Sequence, residues 1–537
     1  MELTRENYYE KEPIILKDIE TCEFIAFDLE FSGIIPSKFK IYDSPEENFQ
    51  KSKYMAETYR IIQVGITPFI KKENNPKEYI AKPYNIYAFP SEKQSNNRFD
   101  FFLESIIFNR EHGCDFNKWI SHGVPYLNNE SLKKITERAM TGNINKYDPK
   151  NICIFKNIVL YKEQDKIRYK NFLDKFNIFF NNPEEKIFKH EKIVRHLVLY
   201  FLNKLDEDIR NRIFIEYKEE MNGNGEQKSY IIIHKLNSLE EKKQRINQEN
   251  NEIITTIKRE KGIKNIIEKI ISSKKPIVGH NCFIDLLFIM SHFMDDIPKT
   301  FKNFKLILKN EFSGGIYDTK HLYNSSNFNF ASNNDETKIK NNINLECLYN
   351  ELYNENQKLE NDKKIFIEIP EKEEFMDYLN QKNKEKKFHQ ADYDSFTTGC
   401  AFVFMKNMLG EKFIKEQENK LNCYHGIYSF FDLNNLEKEE KYINNSTDAF
   451  ILLFNEKFYE NNEIIKNITE EVINSKYINC KIKAKEIGGS IIVFINSENK
   501  NDFIQACGKF KDYINVQTIS EYKELLKNKS IVNKIIF

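Results

Sequence analysis

The sequence predicts an α/β protein of several units, with a sheet-and-helix core interrupted by a small α+β insert and followed by a second α+β domain. Three observations carry this. Apolar residues alternate with a two-residue period through ETCEFIAFDLEFS (20–32), and QVGITPFI (63–70) and YNIYAFP (84–90) continue as strand candidates. KKPIVGHNCFIDLLFIMSHF (274–293) reads as a strand, a turn and an apolar-faced helix. After the polar stretch 433–446 a fresh alternation begins with AFILLF (449–454) and a helical middle. SIIVFI (490–495), NDFIQACGKF (501–510), YINVQTI (513–519) and a terminal helix complete it.

Between these segments, helical patterns run through 101–140. HEKIVRHLVLYFLNKL (190–205) has helical spacing, and RIFIEYKEE and SYIIIHKL flank the turn-rich MNGNG (221–225) as a hairpin. Residues 237–270 form a charged Glu/Lys-rich helix, 324–342 and 380–387 read as loops, and a helix is expected from about 389 to 408.

Composition bounds the function classes. The 537 residues suggest about three or four units at roughly 150 per domain, and 81 Lys+Arg against 81 Asp+Glu leave no net charge. Nucleic-acid binding would therefore rest on local patches. Seventeen Gly and 13 Pro exclude a collagen-like chain. Nine cysteines without a Cys-x-x-Cys pair offer no zinc or disulfide frame and are expected to be reduced, mostly packed thiols. MELTRENYYEKEP lacks the apolar stretch of a secretory signal, and the longest apolar runs, such as LVLYFL (197–202), fall short of the ~20 residues that cross a bilayer. A non-secreted protein without a membrane span is expected.

Three acidic motifs point to chemistry. In FIAFDLEFSG a strand puts Phe24, Ala26, Asp28 and Glu30 on one face and Ile25, Phe27, Leu29 and Phe31 on the other. Two neighbouring carboxylates in apolar surroundings repel unless protons or cations neutralise them, and a hard cation such as Mg²⁺ suits such a pair. Alone, the pair is equally a strand end with two solvated acids. In GHNCFIDLLF, Asn281 and Asp285 share one helix face, and Asp285 alone would ordinarily be a surface acid. In FHQADYDSFTTG, His389 precedes Asp394 by five residues, and its imidazole suits taking a proton from a metal-bound water. Alone, it reads more simply as a cap or packing residue.

Taken together and in this order, the motifs resemble the DEDDh superfamily of 3′–5′ exonucleases. FDLEFSGI, KPIVGHNCFIDLLF, YDTK (317–320), HQADYDSFTTG, FNKWISHGVPYLN (116–128) and DYINVQTISEYKEL (512–525) resemble the poly(A)-specific ribonuclease family of deadenylases. The resemblance implies an RNase H-like exonuclease core, a mixed sheet flanked by helices, in two halves (1–165 and 246–432). A degenerate nucleic-acid-binding-like insert (166–245) splits it, and a linker (433–446) leads to an RRM-like domain (447–537).

The resemblance further implies that Asp28, Glu30, Asp285 and Asp394 hold two Mg²⁺ ions, with Mn²⁺ as a substitute, and that His389 is the general base. Two such ions about 4 Å apart activate a water for in-line attack and stabilise the leaving 3′ oxygen. The substrate would be a single-stranded RNA 3′ end, most simply poly(A), shortened by release of 5′ nucleoside monophosphates. Phe31 and Ile34 would meet the last bases, or else belong to the core. Asn281 and Lys320 would lie along the substrate, with Asp318 in support and His280 structural. In the insert, Lys192 with His196 is the nearest fit to an Arg-x-x-x-His motif, beside His190 and Arg195, although a charged face on a packing helix explains them equally.

Some family members bind the 5′ cap through a Trp in the last domain. Here the single Trp119 lies in the nuclease part and Lys485 falls near that position, so cap binding by that route is not expected. A homodimer in the nucleus or cytoplasm is the family expectation. Two rival readings remain: a 3′-end trimmer of small noncoding RNA or piRNA precursors, and a catalytically silent RNA-binding or assembly protein.

Overall fold

The alternation at 24–31 does build a central strand, because its two faces bury against different layers. In the computed structural model the described residues are 1–40, 43–93, 98–141, 160–191, 195–221, 227–326, 328, 343–371, 375, 389–423, 430–436, 447–455, 483–486, 490–496 and 500–525. The loop expected at 380–387 and nearly all of the one at 324–342 lie outside them.

The main sheet contains β1 (Glu2–Leu3), β2 (Phe24–Phe31), β3 (Ile61–Lys71), β4 (Glu78–Ala81), β5 (Tyr84–Pro90), β6 (Ile277–Gly279), β7 (Ile316–Asp318), β8 (Phe366–Glu368), β9 (Lys420–Asn422) and β10 (Phe430–Asp432). Its order is β1-β5-β3-β2-β6-β7-β9-β10, with β4 on β3 and β8 on β4. β2 runs antiparallel to β3 and parallel to β6, so the sheet is mixed and β2 is central. The helices that matter below are α1 (Tyr8–Thr21), α2 (Pro45–Thr58), α3 (Leu103–Glu111), α4 (Phe283–Phe293), α5 (Thr319–Ser325), α6 (Leu345–Lys358) and α7 (Ala391–Leu409).

On one side of β2, Phe24 and Ala26 join a core with Phe69, Leu348, Leu352, Cys400 and Phe402, which seats α6 and α7. Phe24 stacks on Phe69 at 4.8 Å and meets Phe402 edge-on at 5.0 Å, pairs that add about 0.5–1.5 kcal/mol each beyond area burial. On the other side Ile25, Phe27 and Leu29 face Ile267, Ile270 and Ile289. The helix α7 comes unusually close to the sheet because two glycines let it. A Cβ on Gly65 would lie 1.8 Å from the Ala391 carbonyl oxygen, and one on Gly399 would lie 2.0 Å from the Phe69 ring. A buried hydrogen bond between Thr67 and Ser395, 2.8 Å, ties the same two layers. Trp119 is fully buried against Phe89, Phe99 and Phe116 and donates its Nε1–H to the Ala88 carbonyl at 2.7 Å.

Contacts divide the chain into two units, one of residues 1–90, 96–124 and 263–537, the other of 91–95 and 125–262. The second unit has a three-stranded antiparallel sheet of Ile187–Glu191, Gln227–Lys235 and Ile213–Met221. Phe172, Phe176, Leu197, Phe201, Ile215 and Ile233 pack it against two helices, Glu163–Asn181 and Arg195–Lys204. The expected hairpin is present, with Ile213 opposite Lys235. Where a helix is expected from 190, His190 and Glu191 instead lie in the edge strand opposite Ile231 and Tyr230, and a helix spans Arg195–Lys204. The charged helix spans Leu239–Lys261, capped by Ser238 and ended by Gly262 at φ +42°, and a second helix, Lys264–Ser273, follows.

Among the C-terminal residues, four antiparallel strands pair in the order Lys483–Glu486, Ser490–Asn496, Thr447–Phe454, Ile514–Thr518, with a helix at Lys500–Gly508. Lys485 lies on the first of these, its side chain outside the described set. Among the described residues no helix is long and apolar enough to cross a membrane.

Candidate active site

Asp28 and Glu30 lie on β2 opposite Gly65 and Gln63, just before a register shift that ends the regular pairing. The strand period keeps both on the face covered by α7, where they replace the apolar residues of the preceding turns of the pleat. The first turn of α7 descends over Gly65 and brings in Asp394. One carboxylate oxygen from each of Asp28, Glu30 and Asp394 falls within 4.8 Å of the other two. Asp285 enters from the first turn of α4, 9% exposed, close enough for its charge to raise the pKa of both β2 acids. Three of the four sequence-predicted acids thus meet within 4.8 Å, and Asp285 stands outside that trio, near enough for its charge to act on Asp28 and Glu30.

Electrostatics bear this out. Burial, then the charges of Asp394, Asp285 and Glu30, raise the pKa of Asp28 well above the usual carboxylate range. Burial followed by Asp394 and Asp285 does the same to Glu30. Asp285 is pushed up to about 7, chiefly by burial, with the charge of Asp318 adding. Asp394 also rises to about 7, through burial with Asp392 and Glu346 adding, while the His389 N–H opposes. That N–H donates to Asp394 Oδ2 at 3.0 Å, whereas Asp394 Oδ1 is buried with no hydrogen-bond partner. An orphaned carboxylate oxygen aimed into a cluster of mutually repelling acids fits a hard divalent cation, which takes oxygen donors.

A stability prediction follows from the sign of these shifts. Asp285 and Asp394 have ordinary values of 3.8 and folded values of about 7, so between those pH values the folded state binds more protons. Their contribution is fully present below about pH 4 and is lost as pH rises through about 7. The metal-free chain is expected to lose several degrees of Tm between pH 5 and pH 8, and Mn²⁺ to raise Tm more at pH 8 than at pH 5. Scanning fluorimetry at both pH values checks this; a Mn²⁺ shift equal at the two would contradict it.

His389 adopts φ +68°, a left-handed conformation uncommon outside glycine, immediately before the N-cap of α7. The residue is exposed overall, but its ring is partly covered by Phe108 at 4.8 Å and His112 at 4.4 Å, both edge-on from α3 and its C-cap. Burial first and His112 second lower its pKa. His112 and Phe108 carry no sequence signal toward this site, since α3 is nearly 280 residues away along the chain. Gln63, whose Oε1 receives the Ala391 N–H at 3.5 Å, was likewise hidden inside a strand pattern.

The expected substrate residues separate. Phe31 is 7% exposed and packs on Phe288 at 4.0 Å, in the core. Ile34 is half-buried and donates its N–H to Ser105 Oγ at 3.0 Å. Asn281, at φ +56°, has its Oδ1 engaged by Asn422 Nδ2 at 2.6 Å. Lys320 is half-buried, and its Nζ has no hydrogen-bond or ion-pair partner among the described residues. His280 Nδ1 bonds Thr319 Oγ1 at 2.9 Å. In the insert His196 meets Asp165 at 3.3 Å and His190 packs on Phe172 and Phe188. Lys192 and the Arg195 side chain lie outside the described residues.

A carboxylate cluster suited to a divalent metal, at the end of a central strand in a mixed α/β core of the DEDD-exonuclease type, is a nuclease active site of a kind consistent with an exoribonuclease. A family model described as CAF1 family ribonuclease matches residues 3–402, and the chain belongs to that family. The poly(A)-specific ribonuclease PARN of Xenopus laevis is 26% identical over 439 residues, 79% of this chain and 65% of that one. The pre-piRNA 3′-exonuclease trimmer of Bombyx mori is 28% identical over 330 residues, 60% of this chain and 58% of that one. The chain thus spans about three-fifths of the length of these relatives. Among solved structures, the Mg²⁺- and Mn²⁺-bound form of S. pombe Pop2p aligns at TM-score 0.33 and 11% identity over 75% of this chain and 91% of that one, too slight a likeness to argue from.

Proposed function

We propose that the chain is a Mg²⁺-dependent 3′–5′ exoribonuclease of the poly(A)-specific ribonuclease type that shortens poly(A) tails, releasing 5′-AMP. The observation that carries this is the meeting of Asp28, Glu30 and Asp394 within 4.8 Å, with the charge of Asp285 acting on the β2 acids and the His389 backbone N–H bonded to Asp394. In this reading the four acids would hold two divalent ions, whose chemistry when bound would be to activate a water and stabilise charge on the scissile phosphate. His389 takes the proton from that water, and its neutral form is favoured by the lowered pKa. The Lys320 ammonium, without a partner among the described residues, faces RNA phosphate or a base edge, with Asn281 and Ile34 along the same strand of RNA. Phe31 supports Ile34 from the core.

The accessory parts are proposed to follow the same family plan, with the insert at 166–245 and an RRM-like domain at 447–537. The C-terminal strand order, numbered by sequence as 2-3-1-4, supports the second. Exposed Phe101, Leu103, Phe108 and Ile120 support a homodimer through the nuclease part.

Labelled oligo(A) tests the reading: AMP should appear one residue at a time with Mg²⁺ and cease with chelator. Binding of the RNA without any metal-dependent AMP would instead favour the silent RNA-binding protein. The 28% identity to the piRNA-precursor trimmer favours a second reading, 3′-end trimming with weak base preference. Equal rates on A20 and mixed-sequence RNA of the same length would select it.

A further inference from the structure

Asp318 is wholly buried, yet its carboxylate accepts five backbone N–H groups from three separate segments. Oδ1 takes those of Asn281 (2.9 Å), Lys320 (2.9 Å) and His321 (3.3 Å), and Oδ2 those of Cys282 (3.3 Å) and Asn422 (3.0 Å). The first segment leads into α4, which carries Asp285 in its first turn; the second opens α5 and holds Lys320; the third ends β9. Asn422 returns its side-chain Nδ2 to Asn281 Oδ1, closing the ring. A buried carboxylate is costly unless bonded in this way, and bonds from N–H groups to an ionised acceptor are about twice as strong as neutral ones. The left-handed backbone of Asn281 persists where its surroundings over-determine it, and two of these bonds act on that residue.

We infer that Asp318 is a positioning residue that registers Asp285 and Lys320, the metal-holding and RNA-holding sides of the site, to one anchoring carboxylate. The inference rests on the metal-dependent reading proposed above. Both oxygens hold the 281–282 segment, Oδ1 alone holds the start of α5 and Oδ2 alone the end of β9, so the variants should differ. Asp318→Asn keeps the shape and one acceptor. With its oxygen toward Asn281, Lys320 and His321, its NH2 opposes the N–H groups of Cys282 and Asn422. Asp318→Ala removes every acceptor.

Isothermal titration with Mn²⁺ alone and residue-level amide hydrogen exchange read the two effects without turnover. Asp318→Asn is expected to weaken Mn²⁺ binding about tenfold, in the range typical for groups that orient metal ligands. Exchange should quicken at Cys282 and Asn422 while Lys320 and His321 stay protected; Asp318→Ala should release all five. Mn²⁺ affinity within twofold of the unsubstituted chain in both variants overturns the inference, even if Tm falls. If the unsubstituted chain binds no Mn²⁺, the metal-dependent reading fails, and the exchange pattern then decides whether Asp318 joins the three segments: five unchanged amides in Asp318→Ala reject it.

Discussion

Asp28→Ala is expected to lower AMP release from oligo(A) by at least about a thousandfold without lowering the Tm of the metal-free chain. The rate effect follows from the loss of a shared donor: stabilisation of transition-state charge by bound cations is worth several kcal/mol, and each 1.36 kcal/mol is tenfold. The stability effect has the opposite sign from that of most buried substitutions. Asp28 sits among Asp394, Asp285 and Glu30, all of which raise its pKa, so removing one charge relieves repulsion in the empty cluster. His389→Ala should cost about 10²–10⁴-fold as a lost general base and leave Mn²⁺ binding intact, since its imidazole packs on Phe108 and His112. Single-turnover rates with Mn²⁺ titrations separate the two variants. Persistent mononucleotide release by Asp28→Ala would sink the proposed chemistry.

Gly65→Ala should be nearly as damaging, although it removes no functional group. Its Cβ would meet the Ala391 carbonyl oxygen at 1.8 Å and the Asp392 nitrogen at 2.7 Å, both backbone atoms that cannot rotate away. Relief requires α7 to lift off β3, at a cost of about 1–3 kcal/mol for overpacking. The lift carries Asp394 away from Asp28 and Glu30, and a misplacement near 1 Å can cost on the order of 10²-fold in rate. A modest fall in Tm with a far larger fall in kcat is the expected outcome. Unchanged kcat would show that α7 need not approach this closely.

How much of this was legible depended on the range of the interactions involved. The alternation through FIAFDLEF was sufficient to set Asp28 and Glu30 on one face, because a strand's pleat is a local property, and the hairpin at 213–235 was written equally plainly in its turn residues. Helix starts were less so. Residues 190 and 191 begin a stretch of helical spacing, but pairing of His190 and Glu191 with a strand about 40 residues later draws them into a sheet. Phe31 shows the same limit on the functional side: a residue beside two acids reads as exposed or core with equal ease until Phe288 is found against it.

The sequence by itself determined the inventory: four acids, an imidazole and a lysine in a family order, on elements whose periodicity is local. Only the tertiary structure decided that β2, α4 and α7 converge, that Gly65 makes room for α7, that Asp318 joins three segments and that His112 stands beside His389. Those contacts link residues that in most cases lie some 37 to 330 positions apart, and no propensity or short-range period encodes which distant backbone will fill a given space.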